Sequence, residues 1–381
     1  MGQIRIFHSS PRKFSSLTRL LSNLRRPAVR FISVLCCALI VGCSKNPSFS
    51  LLSASQTFQQ QTASVNNKID ILWVVDNSGS MDPLQANLVQ NFNAFISRFS
   101  TLGFDYKMAV TTTDAYLADS KFNNNPSLAM FRDGVGNVLS GYYYITPTIP
   151  NIVPNFVTNA TQGSRGSGDE RAFSSLFTSL HSPLNAGFHR EGAFFAVIIL
   201  SDEDDFTDPT RPEGSWTNGG IADHDYTNPN LVSVNSVVAG LDAFTGSVPT
   251  NRHYNVSAIT VLDQTCQRTH VQQSSSAIIG QRYIDLVNAT GGVLGSVCDS
   301  NYANSLNFIQ QRIVELTTEF PLTRTPNPST ITVSVNGAPV LEDSINGWSY
   351  DIVNNAIMFH GASVPASGAA INVHFDPNSL Q

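Results

Sequence analysis

Charge is scarce in this chain: only 13% of its 381 residues are Asp, Glu, Lys or Arg, against 41% apolar. Long apolar runs are missing too. The stretch from Phe31 to Val41 falls well short of the roughly 20 residues a membrane-spanning helix needs, and a mean hydropathy of -0.04 excludes a polytopic membrane protein. There is no H-E-x-x-H, no G-x-S-x-G and no Walker A glycine loop, and the eight His follow no ligand spacing. Acidic residues are absent from residues 1–42, which hold Arg5, Arg12, Lys13, Arg19, Arg25, Arg26 and Arg30. The rest of the chain sets 15 of the 22 Lys and Arg against all 28 Asp and Glu, a balance of -13. So acidic a body lacks the clustered cations that nucleic acid requires, and no nucleic-acid partner is expected. What is present is apolar material for one large domain and something smaller.

The basic leader runs into the short apolar segment and ends Leu39-Ile40-Val41-Gly42-Cys43. Basic flank, short apolar core and small residue before a cut read as a secretory signal. Ile-Val-Gly-Cys resembles the lipobox of bacterial lipoproteins, which implies that Cys43 is lipidated and becomes the mature N-terminus. Ser44 rather than Asp follows, which in that family favours the outer membrane; whether the periplasmic or the outer face is left open. Of the five cysteines, Cys36 and Cys37 then leave with the signal and Cys43 carries lipid. Cys266 and Cys298 remain as a pair in an oxidising compartment, where a disulfide is expected, contributing about 3–4 kcal/mol by the chain-entropy model.

Residues 43–66, rich in Ser, Gln and Asn, read as a polar tether. Regular structure should begin at Ile69–Val75, a nearly continuous apolar run of the kind buried on both faces of a parallel sheet. Asp82 and Pro83 then supply an N-cap and first turn, and Leu84, Leu88, Phe92, Phe95 and Phe99 follow at helical spacing. Strands are expected at 104–111, 193–200, 254–262 and 293–297, with helices at 231–243, 277–289 and one ending near Phe320. Strands alternating with helices mean an α/β fold with a doubly wound, mostly parallel sheet. After Pro321, Pro326 and Pro328 the apolar period becomes two, at Ile331/Val333/Val335, Ile357/Phe359 and Ile371/Val373/Phe375. Residues 321–381 are therefore a small β module, too small to stand comfortably alone and expected to pack on the larger domain.

Asp76-Asn77-Ser78-Gly79-Ser80 stands directly after the first strand. An acid and two hydroxyls at alternate positions converge several oxygens on one point, and oxygens suit a hard cation: Mg²⁺, or else Ca²⁺ or Mn²⁺. The pattern D-x-S-x-S after a buried strand resembles the metal-ion-dependent adhesion site of von Willebrand factor A (vWA) domains. That resemblance spans 69–320, assigns 67–320 to a vWA domain and points to vWA lipoproteins of Gram-negative bacteria. It implies a further Asp at the end of a later central strand, matched by Asp202, and a Thr-like hydroxyl, for which Ser167 in Gly166-Ser167-Gly168 is the first choice and Thr112 the rival. Asp204 and Asp205 read as a solvated acidic loop. The inserts 115–160, with Tyr142-Tyr143-Tyr144, and 206–230, with Trp216 and Tyr226, are expected to rim the site.

A metal held mostly by hydroxyls and water stays electrophilic, and its open position is best filled by a carboxylate from a partner. The expectation is an envelope lipoprotein that is no enzyme and binds an acidic residue of a protein or other macromolecule. The alternatives are a metal-assisted hydrolase using Asp76, Asp202, Asp204 and Asp205, and a structural lipoprotein whose metal staples its loops.

Overall fold

A computed structural model describes residues 58–59, 63–64, 67–210, 226–249, 251–273, 276–366 and 368–378. The leader, Cys43 and most of the expected tether lie outside the described residues, as does Trp216. Residues Ser55–Gln381 form one compact unit.

Its centre is a six-stranded sheet made of β1 (Lys68–Val75), β2 (Asp105–Thr112), β3 (Tyr144–Ile145), β4 (Phe194–Leu200), β5 (Tyr254–Thr260) and β6 (Leu294–Ser296). The order is β6-β5-β4-β1-β2-β3, parallel throughout except for the short edge strand β3. The fold is thus α/β with a mixed, mostly parallel sheet. The helices are α1 (Asp82–Leu102), α2 (Ile152–Ala160), α3 (Ala172–Leu180), α4 (Val234–Thr245), α5 (Gln264–Gln273), α6 (Gln281–Thr290) and α7 (Ala303–Thr317).

Alternation along the strands feeds two cores. Ile69, Ile71, Trp73 and Val75 of β1 join Leu88, Phe92 and Phe95 of α1, Phe156 of α2 and Leu306 and Ile309 of α7. Leu72 and Val74 join the other face, with Phe173 of α3, Leu241 of α4 and Leu286 of α6. Both faces of β1 are therefore dry, which is why its sequence reads as a continuous apolar run. The apolar stripe of α1 is buried as its spacing demands, but Asp82 is its first helical residue and Met81 the cap, with no side-chain bond.

The C-terminal region holds β7 (Phe320–Pro321), β8 (Thr332–Val335), β9 (Ala338–Val340), β10 (Trp348–Asp351), β11 (Ala356–Phe359) and β12 (Ala370–Phe375), in two antiparallel sheets. Val333, Ile357, Phe359, Ile371, Val373 and Phe375 are buried in the same cluster as α1 and α7, so the module has no separate core. Two stretches of the expected tether are in the sheet instead: Phe58–Gln59 and Ala63–Ser64 pair antiparallel with β12. The Cys266–Cys298 disulfide is present, with Cα atoms 5.7 Å apart.

Candidate functional site

The strand order reverses between β1 and β4, whose carboxyl ends lie side by side: Val75 is in register with Leu200, and the Asp76 amide donates to the Leu200 carbonyl at 2.9 Å. A ligand crevice belongs at such a switch point. Asp76, at the end of β1, is fully buried. Its Oδ1 accepts from the Ser78 amide at 2.8 Å and its Oδ2 from the Ser201 hydroxyl at 2.7 Å. Those bonds spend the Asp76 carboxylate on fixing the turn. The Ser78 and Ser80 hydroxyls, both buried, stand 3.5 Å apart. Gln85 of α1 locks the turn from behind: its Nε2 donates to the carbonyls of Asp76 and Gly163, and its Oε1 accepts from the amides of Gln162 and Gly163.

Asp202 ends β4 and is fully buried. Its Oδ2 lies 2.8 Å from His270 Nε2 of α5, while its Oδ1 is buried with no hydrogen-bond partner. An orphaned carboxylate oxygen in a dry site is costly unless something cationic meets it. The charge of Asp202 also bears on Asp76. Burial first, and then that neighbouring charge, push the Asp76 carboxyl up to about 8 despite the amide and hydroxyl it accepts from.

Ser167 lies on the loop that abuts the Asp76 turn. The Gly166 amide donates to the Asn77 carbonyl at 2.7 Å, and a Cβ at Gly166 would meet the Asn77 side chain at 2.5 Å, so this approach requires glycine. The Ser167 hydroxyl oxygen accepts from the Asp169 amide at 3.1 Å and, at the longer 3.5 Å, from the Tyr116 hydroxyl. Thr112, the rival, is buried with its hydroxyl accepting from the Arg132 guanidinium at 3.3 Å, which leaves it a lone pair. Loop contacts thus bring Ser167 to the Asp76 turn, while Thr112 ends β2 beside it.

Asp204 and Asp205 are not a solvated loop: both are buried and both hold helix N-termini. Asp204 Oδ1 accepts from the Arg282 amide of α6, and Asp205 Oδ2 accepts from the Phe173 amide of α3 at 2.8 Å. Thr207 extends the second cap by accepting from the Ser174 amide. Burial raises Asp204 to about 7, with Asp205 adding to it. Burial raises Asp205 to about 6, against the pull of the Phe173 amide and Arg282. Glu203 is raised to about 7 and Glu170 well above the usual range, burial leading in both. Buried acids therefore crowd this sheet edge, among them Asp76, Glu170, Asp202, Glu203, Asp204 and Asp205. Among the described residues, no three or more His, Cys, Asp and Glu side chains form a metal-holding group. The candidate set here is two carboxylates with serine hydroxyls, and its oxygen-only chemistry fits a hard cation.

The rim matches expectation in part: burial, and then the charges of Glu203, Glu170, Asp204 and Asp205, push the Tyr226 hydroxyl up, whereas Tyr144 stands elsewhere. The Tyr144 ring lies over Lys107 Nζ, 5.0 Å from its centroid, on a strand that runs back toward the amino end of β2; Tyr226 packs against Phe206. Sequence reading missed His270, Ser201 and Gln85. Each is an unremarkable residue, and the two distant ones meet their partners only through the fold.

No family model matches the chain, and no curated protein matches it. Among solved structures it is similar to proximal thread matrix protein 1 from the mussel byssus, at 11% identity over 69% of this chain and 51% of that one, TM-score 0.33. It is also similar to the pilus adhesin SpaC from Lactobacillus rhamnosus GG in two structures, at 13% and 10% identity, each over 84% of this chain and 42% of that one, with TM-scores of 0.34 and 0.35. The chain thus spans about half the length of these structures or less.

Proposed function

We propose that this protein is a vWA-type lipoprotein that binds a macromolecular partner through a divalent cation held at the carboxyl ends of β1 and β4. The observation that carries the reading is the pairing of Asp76 and Asp202 across the switch point, with Asp202 Oδ1 buried and unpartnered. Ser78, Ser80 and Ser167 would supply neutral oxygens to Mg²⁺, and Asp202 charge balance. A cation so held supplies an electrophilic position for an Asp or Glu of the partner. The chain's own residues fix the turn through Gln85 and Ser201, keep water from its buried flank, and hold the two loops together through Asn77.

The hydrolase alternative loses ground because Asp204 and Asp205, its additional acids, are engaged as helix caps. Cys43 would tie the protein to the outer membrane by lipid. The test is calorimetry with Mg²⁺ and Mn²⁺ on the full-length chain, beside a pull-down from envelope extracts with Mg²⁺ or EDTA. Cation binding and an EDTA-sensitive partner are expected. A chain that binds neither ion, or a partner that stays bound in EDTA, would falsify the adhesion reading and favour a structural role.

A further inference from the structure

Helix α5 is built unlike its neighbours. Thr265, Arg268, Thr269, Val271 and Gln272 are exposed, and its fully inward side chains are Cys266 and His270, one turn apart on one face. A ten-residue helix with no apolar stripe does not persist on its own. Its first turn is held by Asp263 Oδ1, which accepts from the amides of Thr265 and Cys266, both at 2.8 Å, and Gln267 Nε2 donates to the Ala277 carbonyl. On its inner face, Cys266 and His270 both reach the body, and Cys266 Sγ also lies 3.5 Å from Ser296 Oγ. Cys266 is bonded to Cys298 after β6, and His270 Nε2 meets Asp202 Oδ2 at 2.8 Å. The His270 link decides which oxygen of Asp202 is left over: with Oδ2 engaged, Oδ1 is the one without a partner. Cys298 is exposed, so the bond is open to a reductant.

We propose that the Cys266–Cys298 disulfide is a redox latch on the cation site: by pinning α5 it holds His270 against Asp202, and its reduction releases both. This rests on the reading of Asp202 as part of a cation site. The reductant is a dithiol. One of its thiolates attacks the Cys298 sulfur, the S–S bond breaks and Cys266 leaves as a thiolate; the second thiol then displaces Cys298. Two electrons pass to the protein, the dithiol's protons end on the two cysteines, and the reductant ends as its own disulfide. His270 is a positioning residue, and losing such an outer-shell partner costs roughly 10–100-fold in metal affinity.

The experiment measures Mg²⁺ binding by calorimetry on the full-length chain, oxidised, reduced with dithiothreitol, and as C266S/C298S, each with His270 intact, as His270→Ala and as His270→Gln. Hydrogen exchange over 264–273 is followed in parallel. Reduction is expected to speed exchange there and to weaken Mg²⁺ by about 10–100-fold. His270→Ala should cause a similar loss in the oxidised protein, after which reduction adds nothing, while His270→Gln, which keeps an N–H donor, restores much of the affinity. Unchanged affinity on reduction, or an equal loss in His270→Ala and the parent, overturns the latch and leaves the cation reading standing. An oxidised parent chain that binds no Mg²⁺ overturns both.

Discussion

The placement of Asp76 and Asp202 was legible in the sequence because both stand where apolar runs stop, and a strand's carboxyl end is where a polar residue can face a crevice. His270 was not legible. It lies 68 residues from Asp202 on a helix with no periodic signal, and only the three-dimensional path of α5 brings them together. Truncating Asp202 would reach the fold as well as the site, because its side chain is buried and bonded. Asp202→Asn keeps the volume and a partner for His270 while removing the charge. It should weaken Mg²⁺ binding by at least the roughly 10–100-fold that an outer-shell loss costs, with the melting temperature little changed. Ser78→Ala removes one neutral oxygen of several and should cost less. Calorimetry on the two variants checks the order, and a larger loss in Ser78→Ala would reverse the roles given to the two residues.

The elements that pack through an apolar stripe, α1 and α7 above all, could be placed from spacing alone, and so could β1 and β4. Those held by polar contacts could not: α5 has two inward side chains, and β3 is two residues of edge strand inside a long insert. The acidic run after β4 misled for a related reason. Consecutive Asp and Glu usually mark a solvated turn, but here the turn lies beneath the N-termini of α3 and α6, whose free amides need acceptors. Asp205 answers two amides, those of Phe173 and Thr207, and the Thr207 hydroxyl as well. Asp205→Ala should therefore lower stability by about 1–3 kcal/mol, the cost of leaving buried donors unmet. Chemical denaturation measures this directly. A variant as stable as the parent would mean that water takes over the cap.

Over the whole molecule, the sequence marked the change from helical to period-two patterning near Phe320 but not the shared core across it, because contacts between distant segments leave no local period. It also hid the return of Phe58–Gln59 and Ala63–Ser64 to the last strand, because two-residue stretches carry no period of their own. The anchoring proposal is tested at this scale: Cys43→Ser should leave the precursor uncleaved or shift the protein from the membrane to the soluble fraction. Unchanged acylation and fractionation would remove it.

The crowded acids give the molecule its pH dependence. Asp205 is raised to about 6, and Glu203 and Asp204 to about 7, all by burial first. In the unfolded chain these carboxyls lose their protons near 4. With Asp76 raised to about 8 as well, the folded protein binds more protons than the unfolded one between 4 and about 8, and stability falls as pH rises. Asp208 and Asp242, held low by their hydrogen-bond partners, oppose this slope only near pH 4, where the same groups of the unfolded chain are still partly protonated. Without divalent cation the melting temperature should be lower at pH 8 than at pH 5. A cation bound among the ionised acids offsets their repulsion, so Mg²⁺ should raise the melting temperature more at pH 8 than at pH 5. Scanning calorimetry at both pH values, with Mg²⁺ and with EDTA, separates the two effects. A cation-free melting temperature that stays level or rises would show these acids ionising at no cost to the fold, and the electrostatic need for a cation would go with it.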